Sequence, residues 1–473
     1  MSKGEVNGSA PDPVEPIKFL SFVTHIPHRE DVDDSIARAL EWGVDYIVAQ
    51  GTGSDWGAHW LGSGTFPATD IAGNCRPYLK AAVEHKIPFV FSVGIAGGSV
   101  HLDASLKLLG DLCAREGWNL RVGVLDTEVD REELAGLIEG GVEVVQANRT
   151  EDLPEKLSAA DARELLRTVA LAGPEPIMEL LADEELDGVI TGRALDIALF
   201  MAPAMARGIP RAAAAHLGKA LECAGLALSP PDSAEPVWAA VDSEGVTVRS
   251  PNPKLAATVR SIASHGFYER SDPTKEDNPG GRLDLSDCVY EPQADGALRI
   301  TGAQWIDAPY TLLIEGAKLA GYRSLVILGA RDPLLLGQWE TWVEAMRQSV
   351  RDAPRFAHLV EGTDYRIAVR PYGVPDEVDP ARPPRMESAF ILDVVADDQD
   401  LASEIAYFGF IRLFIGPYPG RKSTAGNAAI PLMPVVIPTG AVYVFGAYHL
   451  LPTEQPGALF HSRKIDLATA VPA

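Results

Sequence analysis

The chain has 473 residues, 46% of them apolar, with 66 acidic against 41 basic side chains and a formal net charge of −25. That length fits two or three domains with substantial cores, and that charge makes a nucleic-acid groove or an anionic membrane surface a poor partner. The cysteines Cys75, Cys113, Cys223 and Cys288 lie far apart without disulfide or metal spacing, which points to a reducing cytoplasm, and no apolar run reaches the roughly 20 residues of a membrane span.

Residues 1–16 are polar and proline-rich, without the apolar stretch of a signal peptide, and read as a loose, disordered tail. Residues 17–23, 45–49, 88–93 and 120–125 are short apolar runs rich in β-branched and aromatic side chains, the composition of strands buried on both faces. Between them, 33–42, 76–85 and 103–115 place apolar residues at helical spacing. The rhythm continues through a strand at 143–147, a helix over 159–171 and the segment 187–196. This alternation predicts an α/β fold with an N-terminal parallel sheet flanked by helices, Rossmann-like, over 17–228. Residues 229–308 hold prolines, short strands at 238–241 and 246–249 and a polar stretch at 268–282, and read as an irregular β-rich connection. A helix over 309–320, a strand at 322–329, a helix over 339–351, a strand at 365–370 and an exposed linker at 375–385 make 309–473 an α+β C-terminal half. There is no internal repeat.

In such a sheet, ligands bind where loops leave the carboxyl ends of the strands. One of these loops, G-T-G-S-D-W-G-A-H-W-L-G-S-G from Gly51 to Gly64, carries many glycines together with Ser54, Asp55 and His59. Gly51, Thr52, Gly53 and Ser54 are expected to present backbone amides and hydroxyls to a substrate. If a helix starts here, Asp55 and His59 share a face at i, i+4, and a carboxylate orienting an imidazole is a common acid/base pair. The alternative is a glycine-rich turn over packed tryptophans. The loop with Gly97 and Gly98 joins a strand to a helix, a context for an anion cradle or for a plain tight turn. Thr191, Arg193 and Asp196 sit where a strand gives way to a helix, so Arg193 either binds an anionic group or pairs internally with Asp196. Late in the chain, Y-P-G-R-K-S-T-A-G-N sets Arg421, Lys422 and Asn427 close together, as an anion clamp or a solvated basic turn.

No metal is expected. The histidines of T-H-I-P-H, His25 and His28, have no carboxylate partner fixed by spacing; a metal, if needed, would draw on them with Asp55 and His59. Neither a dinucleotide fingerprint, a phosphate-binding P-loop, a serine-hydrolase elbow, a zinc-peptidase motif nor a kinase set is present, so no cofactor is expected.

The segments V-A-Q-G-T-G-S-D-W-G-A-H-W-L-G-S-G, I-T-G-R-A-L-D-I-A-L-F-M-A-P, A-A-A-A-H-L-G-K-A-L-E-C-A-G, D-P-T-K-E-D-N-P-G-G and Y-P-G-R-K-S-T-A-G-N resemble the acyclic terpene utilisation protein A family, spanning about residues 18 to 450. The resemblance implies a cytoplasmic protein of acyclic terpenoid or branched-acid catabolism, often handling CoA thioesters. It departs at 22–31, where F-V-T-H-I-P-H-R-E-D replaces the glycine-rich loop of many members. The groups available suit acid/base chemistry with anion anchoring. A lyase of the hydratase/dehydratase type, acting on a carboxylate or CoA thioester as a homo-oligomer, is the leading expectation. A hydrolase of a thioester, ester or amide, or a non-catalytic binding subunit, are the alternatives.

Overall fold

The computed structural model describes residues 15–67, 69–267, 272–379, 384, 386–422 and 424–469. The expected N-terminal tail lies almost wholly outside them, as do parts of the 268–282 stretch and of the 375–385 linker. The fold is mixed α/β and divides into two compact units, Met1–Lys318 with Phe445–Ala473, and Leu319–Val444. These divisions fall at 318/319 and 444/445, where the sequence suggested 228/229 and 308/309.

The first unit is built on a large mixed sheet. Five strands run parallel: β1 (Ile17–Val23), β2 (Tyr46–Gln50), β3 (Phe89–Ser92), β4 (Arg121–Asp126) and β5 (Gly188–Thr191), in the order β1-β2-β3-β5-β4. Antiparallel strands extend both ends, Val237–Val241 on β1 and His461–Asp466 on β4. The strands expected at 238–241 and 246–249 in the β-rich stretch are present as Val237–Val241 and Gly245–Arg249, and they join the main sheet.

Alternate strand residues serve two cores, because successive side chains point to opposite faces. Phe19, Val48, Val90 and Val189 pack with the helices Pro174–Leu181, Ala198–Ala206 and Arg211–Leu221. Leu20, Ile47, Phe89, Phe91 and Ile190 pack with Val32–Trp42, Ile71–His85 and Ser99–Glu116. The helix begins at Ile71 rather than 76 because the Asp70 carboxylate caps it, accepting from the Gly73 amide at 2.8 Å.

Two expected helices are corrected. Residues 159–171 form a short helix, Ala159–Glu164, followed by the strand Arg167–Ala170. The segment 309–320 belongs to a strand of 20 residues, Thr311–Ala330. Its Leu, Ala, Lys and Glu favour helix intrinsically, but Ile314–Ala317 pairs with Arg167–Ala170 and Tyr322–Ala330 pairs with Ser388–Ala396. Gly316 permits the close packing, since a Cβ there would meet the side chain of Leu165.

In the second unit, Tyr365–Tyr372, Ser388–Ala396 and Tyr322–Ala330 form an antiparallel sheet. The helices Trp339–Arg351 and Gln399–Ile415 cover it around Trp342, Met346, Phe390, Leu392 and Phe410. No described helix is long and apolar enough to cross a membrane.

Candidate functional site

Loops at the carboxyl ends of β1, β2 and β5 open onto a cleft of about 440 Å³. Its polar lining includes His25, Asp55, Arg193, Asp196, Lys219 and Glu222, and its aliphatic wall is Val23, Ile26, Leu171, Leu195, Leu226 and Leu313. Glu276 and Tyr448 also line it.

The first glycine of the β2 loop serves packing. A Cβ on Gly51 would fall on Thr24 Oγ1 and the Ser92 carbonyl, so only glycine lets the ends of β1 and β3 close around β2. Two of the amides expected to face a substrate are engaged within the fold: Gly51 donates to Ser92 Oγ at 2.7 Å and Gly53 to the Ile95 carbonyl at 3.0 Å. The β3 loop is likewise filled. Gly97 has φ +70° and lies against the Arg193 backbone, whose amide donates to the Gly97 carbonyl at 3.0 Å. At the helix start beside Gly98, the Ser99 amide donates to Glu128 Oε2 at 2.7 Å. A protein carboxylate thus occupies the place where an external anion was expected. Thr191 is buried, its hydroxyl donating to the Gly192 carbonyl.

Arg193 organises the cleft. Its side chain is 3% exposed and meets Glu315, also buried, through Nε at 3.2 Å and Nη2 at 3.4 Å, a forked pairing. Nη2 also donates to Ser54 Oγ at 2.7 Å, and Nη1 lies 3.4 Å from Thr52 Oγ1 and 3.9 Å from Asp196. Ser54 in turn bonds Glu315 and meets the Tyr448 hydroxyl. Arg193 is thus paired internally, with Asp196 at 3.9 Å as the sequence alternative had it and with Glu315, which the sequence did not suggest, as the main partner.

Asp196 presents a third of its side chain to the cleft, 34%, and accepts from Gln50 Nε2 at 3.5 Å. Burial pushes its carboxyl up to about 6, against the opposing pull of Arg193. Across the cleft, Lys219 Nζ lies 2.5 Å from Glu222 Oε1 on the helix Arg211–Leu221 and its end. Burial raises the Glu222 carboxyl to about 8 despite the lysine. His25 stacks edge-on against Trp56 at 5.1 Å, and burial lowers its imidazole to about 4, so it is neutral at physiological pH.

Other expected residues lie apart from one another. Asp55 lines the cleft from a 3₁₀ turn, Ser54–Trp56; Gly57, at φ +67°, then redirects the chain before the helix Gly57–Ser63. Asp55 and His59 consequently do not share one continuous helix, and His59 is exposed and absent from the cleft lining. In the second unit, Arg421 donates to the carbonyls of Ile415 at 2.6 Å and Ala425 at 2.8 Å, and Asn427 Nδ2 donates to those of Leu413 and Gly416, both at 2.8 Å. They cap the helix Gln399–Ile415, where positive charge is favoured. Lys422 is exposed.

Glu315, Lys219, Glu222 and Tyr448 escaped sequence reasoning. Lys219 and Glu222 carried a usable signal, two charged residues at i, i+3 in the otherwise apolar run A-A-A-A-H-L-G-K-A-L-E-C-A-G.

A family model described as acyclic terpene utilisation family protein AtuA matches residues 68–442. The chain belongs to that family. The match takes in Arg193, Asp196, Lys219, Glu222 and Glu315, and leaves outside it the β2 loop and Tyr448. No curated protein and no solved structure matches the chain.

Proposed function

We propose that the protein is an enzyme of acyclic terpenoid or branched-acid catabolism that adds or removes water, a lyase of the hydratase/dehydratase type, with Asp196 moving the proton. The observation that carries this reading is the placement of the Asp196 carboxyl, one third exposed, in a cleft walled by branched aliphatic side chains, where burial raises it above the usual carboxylate range. A group poised near neutrality serves as general base or acid, and the Leu171, Leu195, Leu226 and Leu313 wall suits a branched hydrocarbon chain. Role in acyclic terpene utilisation follows from the family.

The electrostatics favour a CoA thioester over a free acid. Asp55, Asp196 and Glu276 outnumber Arg193 and Lys219 at the lining even with the Glu222 carboxyl neutral, and Arg193 is already paired with Glu315. A free carboxylate at the reacting end would meet net repulsion, whereas a thioester carbonyl is neutral there. Arg193 then acts as the scaffold that holds Ser54, Thr52 and Asp196 in place. A hydrolase working through His59 loses its support, since that imidazole is exposed and off the cleft.

The test is product analysis by mass spectrometry with a panel of acyclic terpenoid acids and their CoA thioesters. Wild type is expected to give a mass change of one water with the thioesters. Cleavage to free acid and CoA would assign a hydrolase instead, and no turnover on any member would remove the enzymatic reading.

A further inference from the structure

We propose that Glu222, Cys223 and His265 form a binding site for one divalent transition-metal ion of the zinc class, open on one side to the cleft. The three residues come from the end of one helix and from a second helix in the first unit. Glu222 and Cys223 follow Arg211–Leu221, and His265 lies on Val259–Phe267. One carboxylate oxygen, one sulfur and one imidazole nitrogen lie within 4.8 Å of one another, with Glu222 Oε1 3.9 Å from His265 Nε2. Among the described residues no other three histidine, cysteine or acidic side chains gather this closely.

The donor chemistry selects the ion. Thiolate, imidazole and carboxylate together suit zinc-like ions, whereas magnesium and calcium take oxygen sets. Around tetrahedral zinc, bonds of about 2.0–2.3 Å place ligand atoms about 3.3–3.6 Å apart, so small side-chain rotations complete the set. Three protein ligands leave a fourth position, and because Glu222 and Cys223 line the cleft, that position admits water or a substrate oxygen.

The surroundings fit a cation. Asp196 and Glu276 also line this cleft, which holds more carboxylates than ammonium and guanidinium groups. Lys219 Nζ, 2.5 Å from Glu222 Oε1, donates to the same oxygen that lies 3.9 Å from His265 Nε2, so a carboxylate rotation that keeps this bond and turns the second oxygen to the ion gives the outer-shell arrangement common for ligating carboxylates. Ala224, at φ +46°, turns the chain directly after Cys223. Sequence spacing concealed the group, because His265 lies far along the chain from the Glu-Cys pair.

The test is titration of chelator-stripped, full-length protein with Zn²⁺ and with Co²⁺. It reads the ion and not turnover, so it stands apart from the reaction proposed above. The expected result is one ion per chain and thiolate-to-cobalt charge-transfer absorption in the near ultraviolet. Cys223→Ser should abolish that absorption, and His265→Asn should weaken Zn²⁺ binding more than tenfold with unchanged circular dichroism. Cys288→Ser, which removes the thiol 3.9 Å from His216 Nδ1, should change neither. Absence of a stoichiometric ion in wild type overturns the site. So does absorption that survives Cys223→Ser or disappears in Cys288→Ser. Should Cys223→Ser fail to fold, the wild-type spectrum and His265→Asn decide.

Discussion

Replacing Arg193 with Met separates a guanidinium that holds the fold from one that holds a ligand. In the structure its donors go to Glu315 at 3.2 and 3.4 Å and to Ser54 at 2.7 Å, and both charged side chains are all but inaccessible. Removing the cation leaves the Glu315 carboxylate buried without its counter-charge, a loss of about 3–5 kcal/mol in comparable broken pairs. With unfolding entropy near 2.1 cal/mol/K per residue, that corresponds to a fall in melting temperature of roughly 4–7 °C for a unit the size of the first one. Differential scanning calorimetry reads the shift. The double variant Arg193→Met/Glu315→Leu should regain at least half of it, because two apolar groups replace a pair that costs desolvation. A single variant that melts within about 1 °C of wild type but binds substrate more than tenfold weaker would refute this reasoning. Arg193 would then be a substrate anchor.

Asp196→Asn should cut turnover about 100- to 10,000-fold, the usual range for a lost general acid or base, and remove the limb of the wild-type rate profile that rises with pH through about 6. Because the folded-state value lies above the unfolded one, the carboxyl's stabilising contribution is complete below the unfolded value of 3.8 and lost as pH rises through about 6. The Asn variant should accordingly melt higher than wild type at pH 8 and equal to it near pH 4 in thermal scans. Arg421→Ala should leave KM within about threefold and lower stability by about 1–3 kcal/mol, since its bonds cap a helix; a large rise in KM would restore the anion clamp. His59→Gln should leave kcat within a few-fold of wild type, and a loss comparable with that of Asp196→Asn would return the imidazole to the reacting centre. Gly97→Ala should destabilise by at least about 2 kcal/mol, because φ is +70° and the new Cβ would meet the Arg193 backbone; unchanged denaturant unfolding would contradict that packing.

The parallel strands were legible because each is buried on both faces, so an unbroken apolar run such as F-V-F-S marks it without reference to neighbours. The strand Thr311–Ala330 was legible only in its second half, read as a strand at 322–329; the Leu, Ala and Lys content of its first half suggests helix, and only pairing with Arg167–Ala170 decides otherwise. The same error hid Glu315, which lies in that strand and whose partner Arg193 was found. Loops at the strand ends were identified from their glycines. Whether a glycine presents its amide to a ligand or makes room for a neighbouring chain depends on contacts such as Gly51 with Ser92, which are remote in sequence. Asp55 and His59 looked paired because i, i+4 spacing presumes a continuous helix, and Gly57 interrupts it. Lys219 and Glu222 stood out locally as charges in an apolar helix, but that pattern does not say which cleft they reach, and Tyr448 has no local signal at all.

Proton transfer by Asp196 is the central claim, and isotope incorporation reads it most directly. The protein and its Asp196→Asn variant are incubated in deuterium oxide with acyclic terpenoid CoA thioesters, and deuterium at the carbon beside the carbonyl is followed by mass spectrometry. The account predicts incorporation by wild type and a loss of at least about 100-fold in the folded variant. Equal incorporation by both proteins, or none by wild type on any thioester, would contradict it.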